Sequence, residues 1–269
     1  MHVADPPAVA LSRAGRQAPA GRGRGPPATT MSPSLLAFDS STETLAVAAQ
    51  SGSRLCCCDS EGGALASSQL LPQVRRLLQQ AGIRLPQLQA VAFGAGPGAF
   101  TGLRTACAVA QGLALGAGLP LRPLDSLMIV AEGVRREHAQ APADIDVVMD
   151  ARMGEAYAGR YRWDGCSWQT VAPPALHSLD SLHAAWALRP PRCVAGSAVP
   201  AFAERLRSGA ALRVVADIDR AAALMRLAQQ RWRDEGGIDA AAALPLYLRD
   251  KVALTVAERA ALRRAEAPR

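Results

Sequence analysis

The chain has 269 residues, 49% of them hydrophobic, so it can bury the core of one large domain or of two domains of about 100–130 residues. Its formal net charge is +7, but arginines concentrate near both ends, and the body of the chain is close to neutral. This distribution favours solvated ends over a basic patch that binds nucleic acid directly.

The six cysteines include the consecutive run Cys56, Cys57 and Cys58 but no C-x-x-C pair. We therefore predict small apolar core residues in a reducing compartment, without a metal or redox pair. No uncharged apolar run reaches the length of a membrane helix, which predicts a soluble, cytoplasmic protein.

Residues 1–30 consist mainly of Ala, Pro, Gly and Arg and contain no signal-peptide pattern. We expect this segment to be disordered, or to be an over-called extension that precedes a true start at Met31.

Short β-prone runs predict three strands at 35–38, 44–49 and 54–58. Apolar residues then recur at the spacing of an amphipathic helix, at Leu70, Leu71, Val74, Leu77 and Leu78. Pro72 lies within this pattern, so the helix either begins near it or is kinked there.

The first half continues with a strand at 88–93, a glycine-rich loop at 94–100, a helix at 101–116, a strand at 121–124 and a helix that Asp125 or Ser126 caps. Thr101 is the expected N-cap of the first of these two helices.

After a linker at 139–143, the second half repeats this order. Strands are predicted at 145–149, 155–163, 168–171 and 192–195, and helices at 178–188 and 201–207. Two copies of β-β-β-α-β-α indicate duplicated α/β domains. Such a pair resembles the ribonuclease-H-like domains of the actin, sugar-kinase and Hsp70 group.

We place the domain boundaries at 31–138 for the N-terminal actin-like domain, which carries the partner interface, and at 139–253 for the C-terminal one. The second domain then includes a further helix at 220–232, and residues 254–269 form a charged tail.

The glycine-rich loop joins a strand to a helix start, where backbone N–H groups could approach an anion. No Gly-Lys-Ser/Thr follows, and the acidic residue of a dinucleotide fingerprint is absent. A tight structural turn without a ligand is an equally good interpretation.

Four segments together resemble the TsaB family, also called YeaZ. They are GAGPGAFTGLRTACAVAQGLALG from Gly94, LLAFDSSTETLAVA from Leu35, DARMGEAYAGRY from Asp150 and PLYLRDKVA from Pro245. The resemblance covers Met31 to about Ala253, and the first segment is its most specific part.

This resemblance implies the two-domain fold and a role in forming N6-threonylcarbamoyladenosine at position 37 of tRNAs that read codons beginning with A. In that pathway TsaB-like proteins bind the catalytic subunit TsaD through their N-terminal domain, and an ATPase, TsaE, joins the assembly. The chain would then be a non-catalytic subunit that needs no cofactor, with ATP and metal on its partners and tRNA contacted indirectly.

Metal-dependent members of the superfamily carry a His-x-x-x-His pair on the first long helix. That helix has no histidine here, and the four histidines of the chain are His2, His138, His177 and His183. We predict no metal site, although an ATP-dependent transferase or a metallopeptidase of the same fold stays the alternative.

Asp39 and Asp150 end the first strand of each repeat, where nucleotide-binding relatives place carboxylates. We favour side-chain caps of turns over catalysis. At most, a vestigial phosphate loop remains, consisting of Asp39, Gly94, Gly96, Gly98 and Thr101.

The helix at 101–116 is almost equally apolar on opposite sides, so it must be covered beyond its own sheet. The second apolar side of this helix could be buried within the chain or could bind a partner, and the sequence does not decide between these two alternatives. We predict a partner surface on the two N-domain helices, which could also pair two copies of the chain, with contacts from Leu70, Leu71, Val74, Leu78, Leu103, Arg104 and Cys107.

Overall fold

The computed structural model of the protein describes residues 32–215 and 218–249 and contains two five-stranded mixed sheets. The strands of the first sheet are β1 (Leu35–Asp39), β2 (Thr44–Ser51), β3 (Arg54–Glu61), β4 (Ala90–Gly96) and β5 (Leu121–Asp125). Their order is β3-β2-β1-β4-β5, with β1 antiparallel to β2 and parallel to β4.

The second sheet repeats this order with the strands β6 (Asp144–Asp150), β7 (Glu155–Trp163), β8 (Trp168–Ser178), β9 (Cys193–Ala195) and β10 (Leu212–Val214). The order β10-β9-β6-β7-β8 is the same topology read from the other edge. The predicted duplicated ribonuclease-H-like fold is confirmed, although β10, which has only three residues, gave no pattern of its own.

Six helices accompany the sheets in the described part of the chain: α1 (Ala66–Ala81), α2 (Phe100–Ala117), α3 (Ser126–Glu137), α4 (Leu179–Leu188), α5 (Ala198–Phe202) and α6 (Arg220–Glu235). Helices α1 and α2 pack on the outer face of the first sheet, and α4 and α5 pack on the outer face of the second. Helices α3 and α6 share one apolar core with the facing sides of both sheets.

Successive side chains of β1 point to opposite faces of the sheet, so this strand contributes to two cores. Leu35 and Ala37 point into the core shared with α3 and α6, whereas Leu36 and Phe38 point into the core under α1 and α2. All four side chains are buried, which explains why the strand has no polar face in the sequence.

Helix α6 lies elsewhere than its place in the chain predicts. We assigned residues 220–232 to the second domain, but α6 packs on β1, β2 and α3 of the first half. Asp59 of β3 holds its first turn by accepting hydrogen bonds from the Arg220 and Ala221 main-chain nitrogens at 2.8 and 3.0 Å.

The chain then returns along α2. Leu121 and Ile238 form a backbone bridge, and the Gln111 side chain donates to the carbonyls of Ala240 and Ala243 at 3.2 and 3.1 Å. We call residues 243–249 the strap, because they continue to the cleft between the sheets. The rest of the predicted second domain and the tail at 254–269 lie outside the described residues, as do residues 1–30.

Two predicted helix starts in the first half differ from the structure, and in the second half the helix predicted at 201–207 is α5, which begins three residues earlier. Helix α1 begins at Ala66, so Pro72 lies inside it on the exposed side and does not mark its start. Helix α2 begins at Phe100 after Ala99, which has no side-chain cap, so the prediction of Thr101 as N-cap is wrong. Asp125 caps α3 by accepting from the Leu127 and Met128 nitrogens, as one of the two alternatives predicted.

Most of the predicted partner contacts are not on the surface. Leu70, Val74 and Leu78 of α1 and Cys107 of α2 are buried against the outer face of the first sheet, and Leu103 of α2 is buried beside the cleft. Val74 and Leu78 are therefore not available as partner contacts, because the helical stripe that carries them is the one that packs on the sheet. Leu71 is 45% exposed and Arg104 is exposed, so these two remain available to a partner.

We expect Val74→Glu to lower the free energy of unfolding by about 3 kcal/mol or more, because an unpaired charge would enter the core under α1. Urea denaturation of the purified chain measures this loss. The neighbouring exposed Arg75→Glu is the control and should change stability by less than about 0.5 kcal/mol. Equal stability of Val74→Glu and wild type would contradict the burial of this face.

Candidate functional site

A cleft of about 540 Å³ lies between the two sheets, near the carboxyl ends of β1 and β6. Its walls come from the β1–β2 turn, the start of α2, the β6–β7 turn, the loop before α5 and the strap. Ligands of α/β folds bind outside the carboxyl ends of strands, so this cleft is a candidate ligand-binding or active site.

Asp39, at the end of β1, is fully buried and paired with Arg220 of α6, which lines the cleft. The Arg220 Nε and Nη2 atoms donate to Oδ2 at 3.1 and 2.5 Å. The Ser41 hydroxyl donates to Oδ2 and the Ser41 main-chain nitrogen to Oδ1, both at 3.0 Å. Asp39 therefore caps its turn, as predicted, and in addition neutralises a buried cation.

The glycines of the loop allow close packing of backbone on backbone. A side chain at Gly94 would overlap the Asp39 carboxylate, and one at Gly98 would overlap the Ser41 main chain. The Ala99 nitrogen donates to the Ser41 carbonyl at 2.7 Å, and the Gly96 nitrogen donates to the Ser126 hydroxyl at 3.1 Å. These bonds favour the structural-turn interpretation over a loop that offers its N–H groups to phosphate.

The strap covers the cleft-facing side of this loop. The Leu246 nitrogen donates to the Ala95 carbonyl at 2.7 Å, and a side chain at Gly96, whose φ is +113°, would lie 3.0 Å from the Leu246 carbonyl oxygen. Thr101 is exposed. The five residues of the predicted vestigial loop thus do not converge on one empty anion site.

The other arginines that line the cleft also have carboxylate partners. Arg152 pairs with Glu43 across the mouth at 3.0 Å, with both side chains about three-quarters exposed. Arg249 of the strap pairs with Glu155 at 2.7 Å and donates to the Ala151 carbonyl at 3.0 Å. Asp150 caps its turn through the Arg152 nitrogen at 2.8 Å. The positive charge of the cleft is therefore neutralised internally.

Two of the described histidines, His177 and His183, contact residues close to them in the fold. His183 accepts from the Arg207 main-chain nitrogen at 3.1 Å, and its pKa is lowered by burial and by Arg207. His177 lies 3.3 Å from the Ser181 hydroxyl, but that hydroxyl donates to the Ser178 carbonyl. Burial lowers the pKa of His177. A serine held in this way is not poised as a nucleophile.

Across residues 32–215 and 218–249, no group of three or more His, Cys, Asp or Glu side chains could hold a metal ion. No helix in the same ranges is long and apolar enough to cross a membrane. The six cysteines are free, and burial raises the pKa of the Cys193 thiol to about 11. The prediction of core residues holds for Cys107 and Cys193 and is wrong for the other four, of which Cys57 and Cys166 are exposed.

The other candidate site is the outer face of α2. The sheet covers the inner side of this helix, α1 contacts one flank, and the strap runs along another through Gln111 and Cys107. Arg104, Ala108, Gly112 and Leu115 remain exposed in one line, and Leu115 is 68% exposed. The sequence predicted this excess of apolar surface but not the strap, because residues 240–247 carry no pattern that points to α2.

One protein family, two named relatives and two solved structures are similar to this chain. Residues 64–255 match the model of the family TsaD: tRNA N6-adenosine threonylcarbamoyltransferase. The tRNA threonylcarbamoyladenosine biosynthesis protein TsaB of Haemophilus influenzae is 29% identical over 81% of this chain and 94% of that protein. Its Escherichia coli namesake is 37% identical over 41% of this chain and 49% of that protein, so this alignment spans about half of the relative.

Among solved structures, YeaZ from Pseudomonas aeruginosa is 33% identical to this chain and superposes with a TM-score of 0.72. The superposition covers 80% of this chain and all of the other. A second structure from the same organism, described as similar to peptidase YEAZ, gives the same identity and TM-score.

We expect Asp39→Asn to destabilise the protein by about 3–5 kcal/mol, because it leaves the buried Arg220 guanidinium without a counter-charge. Urea denaturation measures the loss. Glu43→Gln, which breaks the exposed pair with Arg152 at the same cleft, is the matched control and should cost less than about 1 kcal/mol. Similar small losses in both variants would mean that Asp39 is not a structural group.

Proposed function

This chain belongs to the TsaB (YeaZ) family, and from that membership we propose that it acts in tRNA threonylcarbamoyladenosine biosynthesis as a non-catalytic subunit that binds a TsaD-type enzyme. In this proposal the modification is made at position 37 of tRNAs that read codons beginning with A, as the family resemblance implies. In this proposal ATP and metal belong to the partners, a TsaE-like ATPase joins the larger assembly in the cytoplasm, and tRNA is contacted through TsaD.

One observation carries the non-catalytic part of the proposal: the Asp39 carboxylate is fully engaged by Arg220 and Ser41. A carboxylate that binds Mg²⁺ or orients a nucleophile needs a free lone pair facing its ligand. Freeing Asp39 would leave Arg220 buried and unpaired, which is costly. The Asp39 carboxylate therefore has a structural role in this proposal.

The exposed line on α2 supports the binding part. Ala108 and Gly112 are small, and an added side chain at Gly112 would meet no other atom within 4 Å. Small residues let another helix approach closely, and Leu115 and the α1 residue Leu71 add apolar area at the edges. The match to the TsaD family model indicates that the two subunits share ancestry, which suits a pairing of like folds.

A peptidase is the alternative that the description of one Pseudomonas structure raises, since that protein is called similar to peptidase YEAZ. Ser181, which lies beside His177, donates its hydroxyl to the Ser178 carbonyl, so this pair gives no support to a nucleophile and base in this chain. The proposal of a binding subunit is therefore the better account.

We expect Leu115→Asp to weaken binding to the TsaD homologue of the same organism by about tenfold or more, because the carboxylate would be desolvated in the interface. Isothermal titration calorimetry measures the dissociation constant. Leu188→Asp, at the end of α4 and 90% exposed, is the control and should bind like wild type. Equal affinity of Leu115→Asp and wild type would place the interface elsewhere.

The purified chain alone should bind MgATP with no measurable heat and should transfer no threonylcarbamoyl group to tRNA, because Arg220, Arg152 and Arg249 are already paired and Asp39 is engaged. Titration calorimetry and a tRNA modification assay test this. The same assay with TsaD and its other partners should depend on adding the chain. Robust turnover by the chain alone would contradict a non-catalytic role.

A further inference from the structure

The outer face of α2 is too small to be a stable interface alone. A helix of 18 residues is about 27 Å long and about 10 Å wide, which gives about 270 Å² of face. Stable interfaces bury about 800 Å² on each partner. A partner that binds α2 must therefore also cover a neighbouring element, and the two candidates are α1 and the strap.

The α1 flank is mainly polar. Its exposed positions include Arg75, Arg76, Gln79 and Gln80, and Leu71 is its large exposed apolar side chain. Long charged side chains are depleted in the centres of interfaces, because ordering and desolvating them is unfavourable. This flank fits the rim of an interface better than its centre.

The strap flank is apolar and rigidly held. Leu244 is 73% exposed, Tyr247 44% and Leu246 40%. The main chain beneath them is fixed by the bonds from Gln111 to Ala243 and from Leu246 to Ala95. A segment that is anchored on both sides yet turns large apolar side chains to solvent is typical of a preformed binding surface.

Arg104 makes the strap continuous with the exposed line of α2. Its guanidinium stacks on the Phe100 ring at 3.8 Å, and its Nε donates to the Tyr247 hydroxyl at 3.1 Å. The Phe100 and Tyr247 ring centroids are 5.3 Å apart. Tyrosine and arginine residues whose positions are fixed before binding lose little conformational entropy on association and are enriched among the residues that dominate affinity.

We propose that the strap is part of the surface that binds the TsaD-type partner, with Leu244 and Tyr247 as contact residues beside the outer line of α2. This inference rests on the proposed function and adds a non-helical element to its interface. The interface then extends from Leu115 at one end of α2 to Tyr247 at the other, with α1 at its rim.

The test uses the full chain and the TsaD homologue of the same organism in titration calorimetry. Leu244→Asp should raise the dissociation constant about tenfold or more, and Tyr247→Ala about fivefold or more. Leu188→Asp, the control for an added charge at an exposed leucine, should stay within about twofold of wild type. Thermal unfolding of Leu244→Asp should match wild type, because that side chain is mostly exposed.

The outcomes separate this inference from the proposal on which it rests. Normal affinity of both strap variants, with weak binding of Leu115→Asp, would overturn the strap surface and leave the helical interface standing. Absence of binding by the wild type would overturn both. If sedimentation shows that Leu244→Asp dissociates a dimer of this chain while partner affinity is unchanged, the surface takes a second copy and the inference is wrong.

Discussion

The buried pair of Asp39 and Arg220 is the interaction on which the arrangement of this protein depends. The two residues are 181 positions apart, at the end of the first strand and the start of the last long helix. An arginine with 6% side-chain exposure is tolerated only beside a counter-charge, so α6 must return to the end of β1. Once it does, Asp59 can hold its first turn, and the apolar side of α6 fills the space that α3 leaves between the sheets.

The space between the sheets contains a second buried charged group whose hydrogen-bond partners are all within the protein. Glu132 of α3 is 3% exposed and accepts from Trp168 of the second half at 2.9 Å and from Arg226 of α6 at 3.0 Å. Tyr161 also donates to Asp125 at 2.7 Å, and burial raises the pKa of that carboxyl group. The two halves therefore share one core with polar cross-links, and widening the cleft would expose both apolar and charged groups.

The charged groups of the cleft have partners within the chain, whereas the outer face of α2 is covered incompletely. The polar groups at the strand ends hold the last helix and the turns, and the three arginines of the described cleft lining are each paired with a carboxylate. The outer side of the first sheet bears α2, which the sheet, α1 and the strap cover incompletely.

The sequence by itself determined the duplicated order of strands and helices, because hydrophobic periodicity and turn residues act over a few positions. It also determined the family, through the segments from Gly94, Leu35, Asp150 and Pro245. Only the tertiary structure decided which apolar residues are core: Val74 and Leu71 look alike in a helical pattern, but one faces the sheet and the other faces solvent. Only the tertiary structure also reveals that Asp39 pairs with Arg220 and that the strap packs on α2. Such contacts depend on where distant segments meet, so they leave no local pattern in the sequence.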